Sequence, residues 1–313
     1  MSTELETCNA VAAATAFAKS GMYAIVGRAN VGKSSLMNAL LSDKVSIVSS
    51  VAQTTRNRIR GIYTDSRGQL VFLDTPGVFK APHDLGRIMN KAARSSVEGV
   101  DGVVLVLDPS CPLRDEDVGW MRKLSRSDAG VHIVLNKQDL PWAYESACRQ
   151  AWDEACATVE VPAVASWYCV SALRGEGITA LVADLFAAAP EGPAMFPEDV
   201  LTDFPRQLAI ADVIREKYFH VLRDEVPHDL AVRITALDEA GTDWTIHADI
   251  LVNRASQKGI VIGDKGRLLR RVKRSATREI AEMYGVDVSL HLWVKIEKNW
   301  SRNFWILRQL GYE

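Results

Sequence analysis

The feature that most restricts the fold of this chain is a glycine-bounded octapeptide between an apolar run and a helical pattern. Met22–Val26 has the composition of a buried strand, and the residues after Lys33 predict a helix. Two glycines let the intervening loop wrap closely, so that successive backbone N–H groups point at phosphate oxygens. The pattern G-x-x-x-x-G-K-[ST] predicts that Lys33 contacts the β- and γ-phosphates and that the Ser34 hydroxyl ligates Mg²⁺. The loop comprises Gly27, Arg28, Ala29, Asn30, Val31, Gly32, Lys33 and Ser34.

Strand and helix patterns alternate over residues 21–189. The alternation predicts an α/β domain with a mostly parallel sheet that is covered on both faces. Predicted strands follow at Ile59–Thr64 and Leu70–Leu73, which form a hairpin, and at Asp101–Asp108, Val131–Leu135 and Ala163–Val170. Predicted helices occupy about 33–41, 86–97, 113–125, 142–157 and 178–188.

The segment after strand Val131–Leu135 predicts which base is bound. It reads Asn136-Lys137-Gln138-Asp139, and an aspartate carboxylate accepts hydrogen bonds from N1–H and N2–H₂ of guanine. Adenine lacks these donors, and a site built on such bonds can discriminate by roughly 10⁴–10⁵. Ser171 and Ala172, after the next strand, place a small residue against the guanine O6. The residues assigned to the base are Asn136, Lys137, Asp139, Ser171 and Ala172.

Two further segments complete the predicted phosphate site. Asp74, Thr75, Pro76 and Gly77 end the strand Leu70–Leu73, and Val78 follows them. Asp74 is expected to hold Mg²⁺ through water, and the Gly77 N–H to reach the γ-phosphate. The pattern D-x-x-G also occurs at Asp65–Gly68 and Asp238–Gly241. We assign the phosphate site to the copy at 74–77 because it alone follows an apolar strand at a workable distance from the glycine loop. Thr55, in the polar segment Gln53–Arg56, is expected to complete the Mg²⁺ shell when the γ-phosphate is present.

The composition changes at Pro190. Four prolines between Pro190 and Pro205 predict a linker. Beyond it, helix and strand patterns in the order helix–strand–strand–helix–loop–helix–strand predict a small α+β domain. Helices are expected at Gln207–Leu222 and Gly266–Tyr284, and strands at Asp229–Leu237, Trp244–Leu251 and Val286–Glu297.

This second domain contains the loop Gly263-Asp264-Lys265-Gly266 before a basic helix. Residues 254–278 hold nine basic residues and one acid on a chain whose net charge is only −2, which indicates an anionic partner for this segment. In a KH domain, a G-x-x-G loop approaches the RNA backbone and clamps about four nucleotides. The residues predicted to bind RNA are Gly263, Asp264, Lys265, Gly266, Arg267, Arg270, Arg271 and Arg274. Trp293, Trp300 and Trp305 can either stack on bases or, as we favour, pack in the core.

The remaining composition excludes several classes of protein. The five cysteines lack CxxC spacing and are expected to be reduced core thiols. Glu4 and Glu6 stand where a signal peptide needs positive charge. No stretch approaches the roughly 20 apolar residues of a membrane span.

In this order, the nucleotide motifs resemble those of translation-factor-type GTPases. Val78 replaces the catalytic glutamine of many relatives, which implies slow intrinsic hydrolysis. Asn30 resembles the asparagine that helps to bind K⁺ near the phosphates in some relatives. The resemblance therefore implies Mg²⁺ and K⁺ as cofactors of GTP or GDP, and it assigns catalysis to Lys33, Asn30, Thr55 and Gly77, with Ser34, Thr55 and Asp74 at the metal.

From about residue 21 to 313 the chain resembles the Era family, bacterial GTPases with a C-terminal KH domain of type II. The motifs above, Phe196–Asp199, Leu292–Lys295 and the ending Leu310–Tyr312 carry this resemblance. It implies binding to the 3′ region of 16S rRNA, not DNA, and a role in assembly of the small ribosomal subunit. It also implies a monomer in the cytoplasm with peripheral association at the inner membrane. Ala29, where proline is commoner, and the longer N-terminus depart from the family.

The predicted organisation has five parts. They are an N-terminal extension (1–20), a GTPase domain (21–189), a linker (190–205), a KH domain (206–297) and a C-terminal tail (298–313). Two alternatives remain open on the residues alone: a GTPase that assists an RNA-modifying enzyme, and an RNA-binding scaffold with a vestigial nucleotide site.

Overall fold

The computed structural model describes residues 19–49, 56–57, 59–77, 84–222 and 226–312. The first domain is an α/β unit built on a six-stranded sheet. Its strands are β1 (Lys19–Val26), β2 (Ile59–Asp65), β3 (Gly68–Asp74), β4 (Gly102–Leu107), β5 (Gly130–Leu135) and β6 (Ala165–Cys169). Its helices are α1 (Lys33–Leu41), α2 (Asp84–Ser95), α3 (Asp115–Leu124), α4 (Glu145–Cys156) and α5 (Ile178–Ala188).

The strand order is β2-β3-β1-β4-β5-β6, and only β2 runs antiparallel to its neighbour. Every residue of β4 is buried, because helices cover the sheet on both faces. Val104 packs with α1 and α5, whereas Val103 and Leu105 pack with α3 and α4. The predicted mostly parallel sheet is therefore confirmed, and its carboxyl edge is available for a ligand.

The proline-rich linker lies along the edge of this sheet. The Gln69 side chain accepts hydrogen bonds from the backbone N–H groups of Met195 and Phe196 and donates to the Phe196 carbonyl. The Ile62 N–H donates to the Leu201 carbonyl across 2.9 Å. Edge strands expose unpaired backbone groups, so this contact covers part of the edge that β2 would otherwise present.

The second domain is an α+β unit with a three-stranded sheet. Its elements are α6 (Arg206–Phe219), β7 (Ala231–Ala240), β8 (Asp243–Val252), α7 (Ala255–Ile262), α8 (Arg267–Tyr284), β9 (Asp287–Ile296) and α9 (Phe304–Gln309). The order is β7-β8-β9, in which β7 and β8 are antiparallel and β8 and β9 are parallel. Alternate residues of β8, such as Ile246, Ala248 and Ile250, face the helices and form the core.

Both ends of the described chain are more ordered than predicted. β1 begins at Lys19, within the segment expected to be an extension. The expected tail instead contains a 3₁₀ turn at Trp300–Arg302 followed by α9, whose residues Ile306 and Leu307 are buried. The boundary at residue 297 therefore divides residues that pack together.

The predicted burial of tryptophans and cysteines is only partly right. Trp300 is fully buried and donates from Nε1 to the Asp229 carbonyl, but Trp293 and Trp305 are 48% and 69% exposed. Core packing was thus the wrong expectation for these two. Of the described cysteines, which are all free, only Cys148 is buried; the others are exposed or half-buried, and Cys8 lies outside the described residues.

The two domains share a buried interface. Leu85 and Met89 of α2 pack against Trp300, Ile306 and Leu310 of the second domain. Helix α2 of the first domain and the C-terminal segment thus cover Ala231 and Leu251 of the three-stranded sheet. No helix among residues 19–312, gaps aside, is long and apolar enough to cross a membrane.

Candidate functional site

The four segments predicted to bind a nucleotide meet at the carboxyl edge of the six-stranded sheet. Asn136 Nδ2 donates to the Val31 carbonyl across 2.8 Å, and Ser34 Oγ donates to Asp74 Oδ2 across 2.7 Å. The Ala172 N–H donates to Asn136 Oδ1 across 3.0 Å. The structure therefore brings together residues that lie up to about 140 positions apart, as parallel strands require.

The loop between β1 and α1 needs its glycines for conformational and steric reasons. Gly27 has φ 147°, and a Cβ there would lie 2.5 Å from the Val106 carbonyl oxygen. Gly32 has φ 97°, and a Cβ there would lie 2.3 Å from Asn136 Nδ2. Any side chain would therefore push the loop away from the sheet.

Lys33 is almost completely buried at the start of α1. Its ammonium donates to the Arg28 carbonyl across 2.9 Å, and burial lowers the pKa of Lys33 to about 8. An anionic phosphate would offset this desolvation and favour the charged form. The predicted phosphate lysine thus lies in a position that favours an anion.

Arg28 holds the loop from the other side. Its Nε donates to Asp117 Oδ2 of α3 across 2.8 Å, and both side chains are buried. The sequence placed Arg28 in the nucleotide site, but its guanidinium is occupied by this ion pair. Asp117 was not predicted, because no local pattern connects residues 89 positions apart.

The proposed metal residues fit a divalent cation. Asp74 Oδ2 accepts hydrogen bonds from Ser34 Oγ and, at 2.8 Å, from Ser46 Oγ. Asp74 Oδ1 is buried and has no hydrogen-bond partner among the described residues. Burial raises the pKa of Asp74, and a cation would oppose this effect. Carboxylate and hydroxyl oxygens suit Mg²⁺. Thr55, the third predicted ligand, lies outside the described residues.

The residues predicted to read the base are held in place by hydrogen bonds and an ion pair. Asp139 Oδ1 accepts from Ser171 Oγ across 2.5 Å, and this bond lowers the pKa of Asp139. Lys137 has φ 67° and pairs with Asp108 across 2.6 Å. Asp139 is therefore held as a carboxylate, the form that accepts hydrogen bonds from a base.

Of the predicted catalytic residues, Asn30 and Gly77 lie at the same edge, next to Lys33. Gly77 lies so close to Ala29 that a Cβ would be 2.8 Å from the Ala29 Cα, and Asn30 has φ 67°. Thr75 Oγ1 donates to the Ile25 carbonyl, and Pro76 is buried. A small cavity of about 50 Å³ is lined by Asn30, Lys33, Ser34 and Gly77, among others. Val78 lies outside the described residues.

A second candidate site lies between α7 and α8. Gly263 and Gly266 have φ 71° and 74°, and Lys265 between them also has a positive φ of 48°. A Cβ on Gly263 would lie 2.6 Å from Leu268 Cβ. The loop is therefore compact and depends on glycine, while the side chains of Asp264 and Lys265 are exposed.

Helix α8 has one apolar face and one basic face. Val272, Ala276 and Ile280 are buried against the sheet. The opposite face lines an open groove of about 770 Å³ and carries Arg267, Arg270, Lys273, Arg274 and Arg278. Arg271 is also exposed. The predicted RNA-binding residues thus form one basic surface that begins at the glycine loop.

Each of the two domains matches a known protein family. Residues 22–137 match the family of 50S ribosome-binding GTPases, and residues 225–301 match the KH domain. The GTPase Era of Geotalea uraniireducens is 40% identical over 302 residues, covering 94% of this chain and 98% of the relative. That of Thermotoga maritima is 40% identical over 295 residues, covering 94% and 97%.

Two solved structures are similar over nearly the whole chain. One is Era with MgGDPNP and nucleotides 1506–1542 of 16S ribosomal RNA, and the other is an Era variant from Aquifex aeolicus bound to GDP and AlF₄⁻. Each has a TM-score of 0.85 and 34% identity, and each match covers 94% of this chain and 99% of the other.

Proposed function

This chain belongs to the Era family of GTPases, and we propose that it uses GTP hydrolysis to control binding to the 3′ region of 16S rRNA during assembly of the small ribosomal subunit. The observation that carries this proposal is the hydrogen-bonded connection from the base-reading residues to the phosphate loop through Asn136. A relative with 34% identity holds MgGDPNP and a segment of 16S rRNA together.

Asp139 selects guanine in this proposal. Its carboxylate accepts hydrogen bonds from the N1–H and N2–H₂ of the base, while Ser171 keeps it ionised and oriented. Adenine has no N1–H or N2–H₂ to donate to the carboxylate, so these two hydrogen bonds would be lost.

Lys33 and the backbone of the loop bind the phosphates. As charge builds on the transferred phosphoryl group, the buried ammonium of Lys33 stabilises it strongly because little water surrounds it. Ser34 and Asp74 would hold Mg²⁺, which would supply positive charge beside the phosphates.

Hydrolysis is intrinsically slow in this proposal, because Val78 cannot orient the attacking water by hydrogen bonding. Asn30 would help to hold K⁺, which would supply positive charge against the developing negative charge, and Thr55 and Gly77 would contact the γ-phosphate. Equal rates of phosphate release in sodium and potassium buffers would exclude the role of K⁺.

The RNA is bound by the glycine loop and the basic face of α8. Gly263 and Gly266 allow close approach of the RNA backbone, and Lys265, Arg267, Arg270, Arg271 and Arg274 neutralise its phosphates. Replacing Lys265 or Arg267 should weaken binding and flatten its dependence on salt.

The contacts between the domains support a switch. Arg56, the residue after Thr55, is buried and donates to the carbonyls of Leu230 and His228 in the second domain. In this proposal, GTP with Mg²⁺ orders the loop that contains Thr55, the residue directly before Arg56, and so acts next to the interface. If the affinities are coupled, bound RNA must in turn alter nucleotide affinity.

We further propose, from the family resemblance, a cytoplasmic monomer that associates peripherally with the inner membrane and does not bind DNA. Fractionation of cells and sedimentation of the purified protein test these points.

Two measurements test the main proposal. Calorimetry with GDP and ADP should give a strong preference for GDP; equal affinities would refute guanine recognition. Phosphate release from GTP should exceed that of Lys33→Ala. Identical background release in both would favour an RNA-binding scaffold with a vestigial site. Crosslinking in cells with sequencing of the bound RNA identifies the target.

A further inference from the structure

The open face of the three-stranded sheet carries a cluster of flat rings. His247 of β8 pairs in register with His291 of β9, and Trp293 lies two residues further along β9. All three side chains lie on the face opposite the core residues Ile246 and Leu290, since side chains alternate along a strand. We call these three residues the ring surface.

The rings of this surface are nearly parallel. The centroids of His247 and Trp293 are 5.4 Å apart with planes inclined by 7°, and those of His247 and His291 are 4.9 Å apart with planes inclined by 14°. Trp293 remains 48% exposed. The exposed indole is an aromatic side chain of the kind on which nucleic-acid bases stack.

The charge beside the ring surface favours an anion. Asp249, buried between the strands, accepts from Arg233 across 3.0 Å and from Lys295 across 2.8 Å. One carboxylate is therefore shared by two cations, and the Lys295 side chain is 55% exposed. The group carries a net positive charge next to the rings, which complements a phosphate backbone.

Other side chains on this face argue against an apolar protein partner. Thr245 and Ser289 are the neighbours of the ring surface along β8 and β9. The aliphatic residues of the same face, Ala231 and Leu251, are already buried by the second domain's C-terminal segment and by α2. The exposed part is thus aromatic, polar and cationic.

We propose that the ring surface is a second contact site for single-stranded RNA, distinct from the glycine loop. This inference rests on the proposed RNA-binding function. The glycine loop adjoins α7 and α8 on the other face of the sheet, and β9 is the edge strand between the two faces. An RNA strand that leaves the loop reaches the ring surface by passing around β9, so only an RNA longer than the clamped four nucleotides or so occupies both.

The test compares two unstructured RNAs from the 3′ end of 16S rRNA, one of about six nucleotides and one of about twelve, where the loop clamps about four. Trp293→Ala should leave binding of the short RNA unchanged and weaken binding of the long one roughly 5- to 100-fold, since stacking of one base contributes on this scale. Trp293→Phe should retain most of the affinity. The control is Trp305→Ala, which removes an exposed tryptophan outside the ring surface and should affect neither RNA.

The outcomes separate the inference from the proposed function. If the wild-type protein binds neither RNA, the RNA-binding function itself fails. If it binds both, but Trp293→Ala weakens both equally or neither, the second contact site is refuted. If Trp293→Ala binds both RNAs normally but binds isolated small subunits less well, the ring surface contacts protein and the proposal is overturned.

Discussion

Removal of the Asn136 side chain should separate the base pocket from the phosphate loop. The amide is 2% exposed and bridges the Val31 carbonyl and the Ala172 N–H. Asn136→Ala removes both bonds without adding atoms or charge. The variant thus tests whether this bridge holds the two halves of the nucleotide site in the geometry that binding requires.

The size of the effect follows from the two bonds. Each lost bond costs about 1 kcal/mol when solvent replaces the partner and up to about 3 kcal/mol when the group is left buried and unpaired. In the free variant the site can relax and admit solvent, whereas a bound nucleotide closes it. The cost should therefore appear mainly in binding, as about 2–4 kcal/mol, which corresponds to a roughly 30- to 1,000-fold weaker affinity for GDP.

Titration calorimetry with GDP and Mg²⁺ measures this loss. The matched control is Gln138→Ala, because Gln138 lies in the same loop and its side chain is exposed. The control should bind within about twofold of the wild type, as expected of a surface substitution. A GDP affinity of Asn136→Ala within threefold of the wild type would show that the bridge does not organise the site.

Three further predictions concern charge. The hydrogen bond from Ser171 lowers the pKa of Asp139. The preference for GDP over ADP should therefore persist from pH 8 down to about pH 5 and be lost only as the carboxylate protonates. In competition binding, Ser171→Ala should move this loss to higher pH. Burial lowers the pKa of Lys33 to about 8, and a bound phosphate should raise this pKa again. GDP binding should therefore take up about half a proton at pH 8 and about a tenth of a proton at pH 7. Calorimetry in buffers of different ionisation enthalpy measures this uptake. Lys44 pairs with the buried carboxylate of Glu216 in α6, and the Val48 N–H donates to the same carboxylate. Lys44→Met removes one of the cations beside Glu216 and should increase the rate of amide hydrogen exchange at Val48 roughly tenfold.

The first two of these predictions each have a result that contradicts them, and the third has a matched control. A preference for GDP that disappears at the same pH in Ser171→Ala and wild type removes the role of the hydroxyl. Proton uptake that is equal at pH 7 and pH 8 means that Lys33 is not the group that titrates. For Lys44, the control is Glu145→Gln, which breaks an exposed pair with Arg149 and should leave exchange of Val48 unchanged.

Much of the fold could be predicted because it depends on local patterns. Residues 102–107, inside the run Asp101–Asp108, carry no polar side chain because helices cover β4 on both faces, so the sequence alone predicts a buried strand there. The loops Gly27–Ser34 and Gly263–Gly266 were predicted because glycine is required where φ is positive and backbone approaches closely.

What could not be predicted depends on contacts between distant residues. Ser46 bonds Asp74, and Asp117 pairs with Arg28, yet neither partner lies in a recognisable motif. Alternate apolar residues of β9 face the core, and Trp293 lies between two of them, so its side chain is on the opposite face of the sheet. Only the pairing of β8 with β9 shows that it belongs with two histidines.

The attachment of the linker to the first domain restricts how the domains can move. Thr202 donates to the Arg60 carbonyl and Asp203 pairs with the Arg60 guanidinium, while α6 begins at Arg206. Two residues, Phe204 and Pro205, connect the hydrogen-bonded part of the linker to α6, over a span of about 7 Å. A rearrangement of the second domain about this short junction would move the RNA-binding surfaces along an arc and would not let them range as on a flexible tether.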